Sequence, residues 1–347
     1  MSKKKIGIIF GGCSPEYHVS LESAYSVITN INQSKYEMVL IGITKEGDFF
    51  KYDGDIENIK NDTWKEKGKC TKVVISGSKS DKGMIEIDGD RLNLVKLDAV
   101  FPVLHGKNGE DGTLQGLISL SGIPLIGCDV LSSSLCMDKY LSHQLVQSYG
   151  INVAKCIVID HTTSKKEIME KLGELNYTLF VKPMRAGSSF GITKVENASQ
   201  IEKAIKDAFL YDTEVMIEEN VDGIEIGCAI LGNEKLIVGK IDEIELSDGF
   251  FNYTEKYTLK TSKIHVPARI DQRTATLAVE TAKKIYRILK CKDFARVDMF
   301  LTSDGKIYFN EINTIPGFTS HSRYPNMMKQ IGIEFDELID KLISLEV

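Results

Sequence analysis

The stretch FARVDMFLTSDGKIYFNEIN, residues 294–313, contains the pattern that is most informative about the fold. Phe294–Leu301 and Lys306–Ile312 are rich in apolar and aromatic residues, and the Ser-Asp-Gly segment between them is typical of a turn. Two strands joined by such a turn pair antiparallel. In that hairpin Asp298 and Glu311 can face each other across the pair. The sequence therefore predicts a hairpin with two opposed carboxylates.

The oxygen-bearing side chains of this hairpin indicate a magnesium site. Facing carboxylates such as Asp298 and Glu311 repel each other unless a cation lies near them, and Asn313 adds an amide oxygen. An oxygen-only set suits Mg²⁺, which also takes phosphate oxygens and water. Arg296 lies two residues before Asp298, so it is expected on the same strand face.

The amino-terminal part of the chain has the pattern of a βαβ unit. The strand Lys5–Phe10, the helix Val19–Thr29 and the strand Val39–Thr44 predict a parallel sheet. The polar stretch Asp53–Asp90 that follows predicts loops and a hairpin. We expect an α/β domain with a doubly wound parallel sheet, followed by α+β domains. The expected domains are residues 1–137, 138–223 and 224–347.

Composition excludes several classes of protein. Of the 347 residues 42% are hydrophobic and 27% charged, and the net charge is −6. The one basic run, Lys3–Lys5, gives little support to a nucleic-acid surface. No run of 18 apolar residues and no signal peptide is visible, which predicts a cytoplasmic protein without membrane partners. The seven cysteines are scattered without a C-x-x-C pair, so neither zinc nor a disulfide framework is expected.

Two glycine-rich loops follow predicted strands. The first is GGCSPEYHVS, residues 11–20, in which Glu16 could anchor a cationic amine. It could equally be an ordinary strand-to-helix turn with a glutamate at the helix start. The second is LHGKNGEDGT, residues 104–113, whose glycines permit close approach of a ligand and which contains His105. It lacks the spacing of a Walker P-loop.

A third glycine-rich segment has the residues of a phosphate site. Lys182 at a strand end precedes Gly187-Ser188-Ser189; a lysine supplies a point charge, and the loop supplies backbone N–H groups. Glu218, at the end of a later strand, could accept from an adenine amino group or ribose hydroxyls. It could also belong to a charged sheet edge.

Taken together, these motifs resemble the D-alanine–D-alanine ligase family, of ATP-grasp fold. The resemblance rests on GGCSPEYHVS, HGKNGEDGTLQG, the Met-Asp-Lys of residues 137–139, VKP with GSS, RVD, and NEINTIPGFTSHS at residues 310–322. It covers nearly the whole chain. It implies ATP-dependent joining of two D-amino acids through an acyl phosphate, with ATP and two Mg²⁺ or Mn²⁺ ions, and a homodimer.

The resemblance also implies residue roles. Lys139 and Lys182 are implied to contact the ATP phosphates, and Ser188 and Ser189 to help close the phosphate loop. The residues implied to hold the nucleoside are Glu218, Val221 and Glu225. The metal ligands are Asp298, Glu311 and Asn313. The first D-amino acid is held at its ammonium by Glu16, with His105 near its carboxyl end. The groups that stabilise the oxyanion are Arg296 and the Gly317 N–H. A closing loop includes Lys256 and Tyr257, and Tyr257 is linked with Glu16 and Ser188 by hydrogen bonds.

The segment Asp242–Thr261 is polar and aromatic without clear periodicity, which is typical of a lid. A lid would exclude the water that hydrolyses an acyl phosphate. Phe250–Tyr257 resembles the lid of ligases that use an amine acceptor, so an amine is favoured over a hydroxy acid.

The second substrate is where the sequence departs from the family's commonest pattern. Phe251 replaces the usual Tyr, and Arg323, after Ser322, replaces an apolar residue; both look like the VanC/VanG-type D-alanine–D-serine ligases of vancomycin resistance. Arg323 could also point to solvent and pair with a surface carboxylate. The alternatives are a housekeeping D-alanine–D-alanine ligase, another ATP-grasp ligase, and a catalytically silent nucleotide-binding regulator.

Overall fold

The strands form three sheets that follow one another along the chain. The computed structural model describes residues 3–246 and 262–347. The first sheet contains β1 (Lys4–Gly11), β2 (Tyr36–Ile43), β3 (Phe49–Asp53), β4 (Lys69–Ile75), β5 (Gly83–Asp88), β6 (Arg91–Lys96) and β7 (Ala99–Pro102). Its strand order is β6-β5-β4-β3-β2-β1-β7.

The second and third sheets share the rest of the chain. The second contains β9 (Cys156–Asp160), β10 (Leu179–Pro183), β11 (Thr193–Val195) and β12 (Glu214–Glu219), in the order β11-β10-β12-β9. The third contains β8 (Asn152–Val153), β13 (Gly223–Leu231), β14 (Ile237–Val238), β15 (Asp242–Leu246), β16 (Ser262–His265), β17 (Phe294–Thr302) and β18 (Ile307–Asn313). Its order is β16-β15-β13-β17-β18-β8, with β14 paired to β13.

Eleven α-helices and one short 3₁₀ helix, Ala198–Gln200, are present among the described residues. The α-helices are α1 (Tyr17–Asn30), α2 (Glu57–Lys60), α3 (Trp64–Lys67), α4 (Thr113–Ser121), α5 (Val130–Met137), α6 (Lys139–Ser148), α7 (Lys165–Leu172), α8 (Ile201–Ala208), α9 (Gln272–Ile288), α10 (Arg323–Lys329) and α11 (Phe335–Ile343). Within the described ranges, no helix has the length and apolar character needed to cross a membrane.

The predicted parallel unit forms one end of the first sheet. Strand β1 runs parallel to β2 and to β7. Ile8 packs with α1 on one face, whereas Ile9 packs with Leu114 and Ile118 of α4 on the other. A strand covered on both faces has to be apolar throughout, as the Ile6–Phe10 run is. The α/β expectation is confirmed.

Two sequence expectations are corrected. The polar stretch 53–90 forms more than loops and a hairpin: β4 and the β5–β6 hairpin extend the first sheet antiparallel. The predicted irregular segment begins with a strand, because residues 242–246 pair with both β13 and β16. The rest of that segment, residues 247–261, lies outside the described residues.

The last helix packs into a core to which both the first and the third sheets contribute. Leu338, Ile339, Leu342 and Ile343 on one face of α11 are fully buried, and they belong to the same apolar core as Ile8 of β1. Residues three and four apart lie on one helix face, which explains why this face is continuous. The carboxyl terminus of the described chain therefore stabilises the first sheet.

We expect Gly42→Ala to destabilise the first sheet. A Cβ at Gly42 would lie 2.6 Å from Cη2 of Trp64, which is buried and packs edge-on against Phe10. Overpacking of this kind costs about 1–3 kcal/mol of unfolding free energy, measurable by urea denaturation. The control is Gly116→Ala in α4, where the added methyl meets nothing within 4 Å and roughly 0.5–1 kcal/mol should be gained. A Gly42→Ala protein as stable as the wild type would contradict this packing.

Candidate active site

Two glycine-rich loops leave the same edge of the first sheet. Strands β1 and β7 are parallel, so the loops after them, residues 12–16 and 103–112, start side by side. The Ser14 hydroxyl joins these loops, because it donates to His105 O at 2.6 Å and accepts from Glu16 N at 3.1 Å. The first two motifs therefore form one site. The sequence patterns did not single out Ser14.

The carboxylate of Glu16 is enclosed by glycines from two sheets. A Cβ at Gly106 would lie 2.4 Å from Glu16 Oε2, and one at Gly187 would lie 2.7 Å from the same atom. The Ser188 hydroxyl donates to Glu16 Oε1, so the predicted hydrogen bond between them is present. Its predicted third member, Tyr257, lies outside the described residues, as do Phe251 and Lys256. A buried carboxylate in such a cradle can bind a small ammonium group.

His105 is neutral, and both of its ring nitrogens contact protein groups. Nδ1 lies 3.0 Å from Ile315 O, and Nε2 lies 3.2 Å from Ser23 Oγ. Burial lowers the pKa of His105 to about 4. Because a carbonyl only accepts, Nδ1 carries the hydrogen and Nε2 accepts from the Ser23 hydroxyl. The predicted contact of His105 with a substrate stays a prediction.

Glu110 is a site residue to which the sequence analysis gave no role. It accepts from Gly106 N at 2.8 Å and from Ile315 N at 3.1 Å. Burial raises the pKa of the Glu110 carboxyl, and the negative charge of Glu16 raises it further. The carboxylate in the second glycine loop was visible in the sequence, but its partner 205 residues away was not.

The second sheet contains a buried ion pair between two neighbouring strands. Lys182 of β10 donates from Nζ to Glu218 Oε1 of β12, and both side chains are almost fully buried. Glu218 Oε2 is also buried and has no hydrogen-bond partner among the described residues. An unsatisfied buried acceptor costs about 1–3 kcal/mol, so this oxygen suits an N–H or O–H donor of a ligand. Val221, half-buried, follows in the connection to the third sheet.

The loop between β10 and β11 is anchored by charged side chains. Lys139, at the start of α6, donates to Ala186 O at 2.7 Å. Arg185 donates to Asp138 Oδ2 at 2.9 Å and also pairs with Glu214. Asp138 is the residue that caps α6, so the helix and the loop are held together. Arg185 was not predicted, since its partners are distant in sequence.

Ser188 and Ser189 adopt a backbone conformation that is uncommon for residues with a side chain. Their φ angles are 47° and 59°, in the left-handed region. Such conformations persist where the surrounding structure imposes them, and they cluster at ligand sites. In a turn of this kind, successive backbone N–H groups can point into one concave surface, which is the geometry that binds an anion.

The predicted hairpin is present as β17 and β18. Asp298 lies opposite Glu311, and a bulge follows Asp298. Arg296 donates to both oxygens of Asp298, with Nε–Oδ1 and Nη2–Oδ2 distances of 2.8 and 2.7 Å, and Asn313 Nδ2 donates at 2.9 Å. In the described part of the chain no three His, Cys, Asp or Glu side chains form a metal cluster. The amide oxygen of Asn313 is a third oxygen group beside the two opposed carboxylates.

Arg323 is buried in this carboxylate cluster, so the expectation that it might face solvent is wrong. Its Nε and Nη2 donate to the two oxygens of Asp242 at 2.7 and 2.8 Å. Its Nη1 donates to Glu225 at 3.1 Å and lies 3.4 Å from Asp298 Oδ1. A Cβ at Gly227 would lie 2.4 Å from Nη2, so this close approach requires a glycine. Glu225, predicted to hold the nucleoside, bonds Arg323 here.

The start of α10 brings Arg323 next to the loop that contains Gly317. A Cβ at Gly317 would lie 3.0 Å from Ser322 Oγ, which also accepts from Thr319 N at 3.1 Å. Ser322 directly precedes α10. The predicted Gly317, Ser322 and Arg323 are thus brought together, beside the Arg296–Asp298 pair.

The fold and the site define the class of ATP-grasp ligases. The second sheet is antiparallel and has a buried lysine, and the larger third sheet is mixed and has the paired carboxylates. The family models narrow this class: "D-ala D-ala ligase N-terminus" matches residues 5–128, and "D-ala D-ala ligase C-terminus" matches residues 145–344. The chain belongs to the D-alanine–D-alanine ligase family. It is an ATP-dependent enzyme that forms a carbon–nitrogen bond, and its substrates are small D-amino acids.

Three similar proteins illustrate the family. The crystal structure of the VanG D-Ala:D-Ser ligase from Enterococcus faecalis is 55% identical, covers 100% of both chains and has a TM-score of 0.93. The vancomycin C-type resistance protein VanC1 of Enterococcus gallinarum is 44% identical over 99% of this chain and 98% of its own. A D-alanine–D-alanine ligase of Caldicellulosiruptor bescii is 42% identical over 100% of this chain and 96% of its own.

The depressed pKa of His105 predicts acid sensitivity. The folded protein keeps this imidazole neutral down to about pH 4, whereas the unfolded chain takes up a proton below about pH 6.5. Stability from this group is complete above pH 6.5 and is lost as the pH falls toward 4. His105→Asn does not titrate, so the wild-type advantage in unfolding free energy should be about 2 kcal/mol smaller at pH 5 than at pH 7.

Urea denaturation of both proteins at the two pH values measures this difference. His143 is also buried with a lowered pKa, but it is present in both proteins, and its effect cancels in the comparison. An advantage that is the same at pH 5 and pH 7 would show that His105 titrates normally in the folded state.

Proposed function

We propose that the chain joins D-alanine to D-serine through a D-alanyl phosphate, giving the altered peptidoglycan precursor terminus of vancomycin resistance. The observation that carries the D-serine assignment is the buried guanidinium of Arg323, held by Asp242 beside the Gly317 loop. Similarity to the VanG D-Ala:D-Ser ligase and to VanC1 supports the same assignment.

The ATP would lie between the second and third sheets. Lys139 and Lys182 supply positive charge for its phosphates, and the backbone at Ser188 and Ser189 supplies the cradle. Glu218 Oε2 is the buried acceptor suited to a nucleoside hydroxyl or amino group, with Val221 beside it. The Lys182–Glu218 ion pair would keep both side chains in place before the nucleotide binds.

Two Mg²⁺ or Mn²⁺ ions would be held at the hairpin by Asp298, Glu311 and Asn313. The donor set fits, because two opposed carboxylates and an amide oxygen are hard oxygen ligands. Asp298 Oδ2 accepts from both Arg296 and Asn313, whereas Oδ1 accepts from Arg296, so Oδ1 is the oxygen of Asp298 that is suited to a cation. The metal ions, when bound, neutralise charge on the transferring phosphoryl group.

The first substrate would bind at Glu16, whose carboxylate can pair with the ammonium of D-alanine, with His105 nearby. The free carboxylate of D-alanine is a poor electrophile, so transfer of the γ-phosphoryl group of ATP to it, with release of ADP, gives the acyl phosphate. Attack by the amine of the second substrate then places negative charge on the carbonyl oxygen. Arg296 and the N–H of Gly317 are the donors suited to that charge.

The second substrate would be recognised through its hydroxyl. Among the described residues, three of the five N–H groups of Arg323 donate to Asp242 and Glu225 and Nη1 also lies 3.4 Å from Asp298, which leaves the second N–H of Nη2 for a serine hydroxyl. A site built to bond a hydroxyl discriminates strongly against an analogue that lacks it, since its donors are then left unpaired. Ser322 adds a hydroxyl at the same place. We also propose that three lid residues contribute to the substrate site, namely Phe251, Lys256 and Tyr257.

The domain boundaries, the oligomeric state and the location are also proposals, which rest on the sequence and on the family resemblance. We propose the domain division 1–137, 138–223 and 224–347, a homodimer, and a cytoplasmic location. Strand β8 and helix α6 lie within the middle range but pack on the third sheet, so the middle range contributes to two sheets.

We expect Glu311→Gln to lower turnover by on the order of a hundredfold, because an anionic metal ligand contributes several kcal/mol to transition-state stabilisation. Phosphate release with D-alanine and D-serine over a Mg²⁺ titration measures this loss, and thermal unfolding checks the fold. The matched control is Asp304→Asn, an acidic side chain in the turn of the same hairpin, which should keep wild-type turnover. Near-normal turnover of Glu311→Gln would remove this hairpin from metal binding.

We expect Arg323→Met to lower the ratio of kcat/KM for D-serine to that for D-alanine by roughly 10- to 100-fold. The double variant Phe251→Tyr with Arg323→Met should prefer D-alanine. Arg323→Lys keeps the buried charge beside Asp242 but loses the planar fork, so it should shift the ratio in the same direction.

The control for this series is Arg269→Met. Arg269 also forms a two-pronged pair, with Glu243, but it is half-exposed and away from Gly317. The ratio should stay unchanged in this variant. A wild-type preference for D-alanine would instead favour a housekeeping D-alanine–D-alanine ligase, and a preference for another amine would favour a different carboxylate–amine ligase.

A further inference from the structure

The loop after the β17–β18 hairpin is hydrogen-bonded to residues of the loop that follows β7 in the first sheet. Ile315 lies two residues before Gly317, and both of its backbone groups are bound by the second glycine-rich motif. His105 Nδ1–H donates to Ile315 O at 3.0 Å, and Ile315 N–H donates to Glu110 at 3.1 Å. The N–H and the C=O of Ile315 belong to two successive planar peptide units, so neither unit can rotate without breaking one of these bonds.

A second contact lies on the other side of Gly317. Phe318 N–H donates to Ser23 Oγ at 3.4 Å, and the Ser23 hydroxyl in turn donates to His105 Nε2 at 3.2 Å. Ser23 is fully buried in α1, so water does not compete for either bond. The hydrogen bonds therefore run from Phe318 through Ser23 and His105 back to the loop at Ile315.

The group between these two contacts is the backbone N–H of Gly317. Among residues 3–246 and 262–347, no protein group accepts from this N–H. The Phe318 ring, next to it, is fixed in the core against Phe101, Phe294 and Tyr324. The structure thus holds the backbone on both sides of one available donor.

We propose that Ser23 and Glu110, together with His105, are positioning residues that fix the Gly317 N–H for the developing oxyanion. This inference rests on the proposed function, since an oxyanion forms only when an acyl group is attacked. None of the three needs to touch the reacting atoms. They act through the loop, and misplacement of a donor by a fraction of an ångström weakens its bond to the transition state.

This assignment also explains the neutral state of His105. A protonated ring would lose its acceptor nitrogen, and the Ser23 hydroxyl would then have no acceptor in this network. The loop geometry therefore depends on an uncharged imidazole, which burial in this interior favours.

The test compares Ser23→Ala and Glu110→Gln with the wild-type enzyme. Each should lower kcat/KM for dipeptide formation on the order of tenfold, less than the loss of an oxyanion donor itself. Each should weaken inhibition by a tetrahedral phosphinate analogue of the dipeptide by the same factor, because that analogue resembles the transition state. Binding of ADP should stay unchanged. The double variant should lose less than the product of the two single losses, since both residues act on one loop.

Ser121→Ala is the matched control. Ser121 is also a fully buried helical serine whose hydroxyl donates to a carbonyl, Ile118 O, and accepts from an amide, Ile123 N, but it is far from the loop. It should lower the melting temperature as Ser23→Ala does and leave both kinetic quantities unchanged. If Ser23→Ala does not fold, Glu110→Gln, which keeps the shape of the side chain, decides the question.

Two outcomes would overturn the proposal. One is unchanged kcat/KM in folded Ser23→Ala and Glu110→Gln proteins; the other is a lower kcat/KM with unchanged phosphinate affinity, which marks a merely structural role. Failure of the D-serine assignment gives a different result: the wild-type enzyme then forms dipeptide with another acceptor, and the variants are compared with that acceptor.

Discussion

Charge compensation inside the third sheet is the constraint on which the rest of the site depends. Arg296 and Arg323 are both largely buried, and each binds a carboxylate with two N–H groups, Asp298 and Asp242 respectively. A buried ion without its partner costs several kcal/mol, so these four side chains have one arrangement that is stable. Because Arg323 is the first residue of α10, that arrangement also determines where the helix begins and where the Gly317 loop ends.

The site is assembled from all three sheets by a few hydrogen bonds that cross between them. Ser188 of the second sheet's loop donates to Glu16, which follows β1 of the first sheet. His105 and Glu110 bind the main chain of Ile315, which follows the last strand of the third sheet. The core under α11, to which both sheets contribute, packs the first sheet against the third.

The parts of the site that were predictable are those set by local sequence. The pairing of Asp298 with Glu311 follows from the length of the two strands and the position of their turn, and it is present. The hydrogen bond of Glu16 with Ser188 came from the family resemblance and is also present. Asp242 was placed in an irregular segment, because its neighbours show no period; in the structure they form a strand by pairing on both sides.

The sequence alone predicted the first parallel strands, the β17–β18 hairpin and the family, because motifs and periodicities are local properties of the chain. Only the tertiary structure decided which side chains meet. Arg323 could be recognised as unusual, but its burial against Asp242, 81 residues away, could not be read from spacing. The same holds for His105 and Ile315, which are 210 residues apart. Burial removes competing water, and it is this step that turns a distant polar pair into a defined contact.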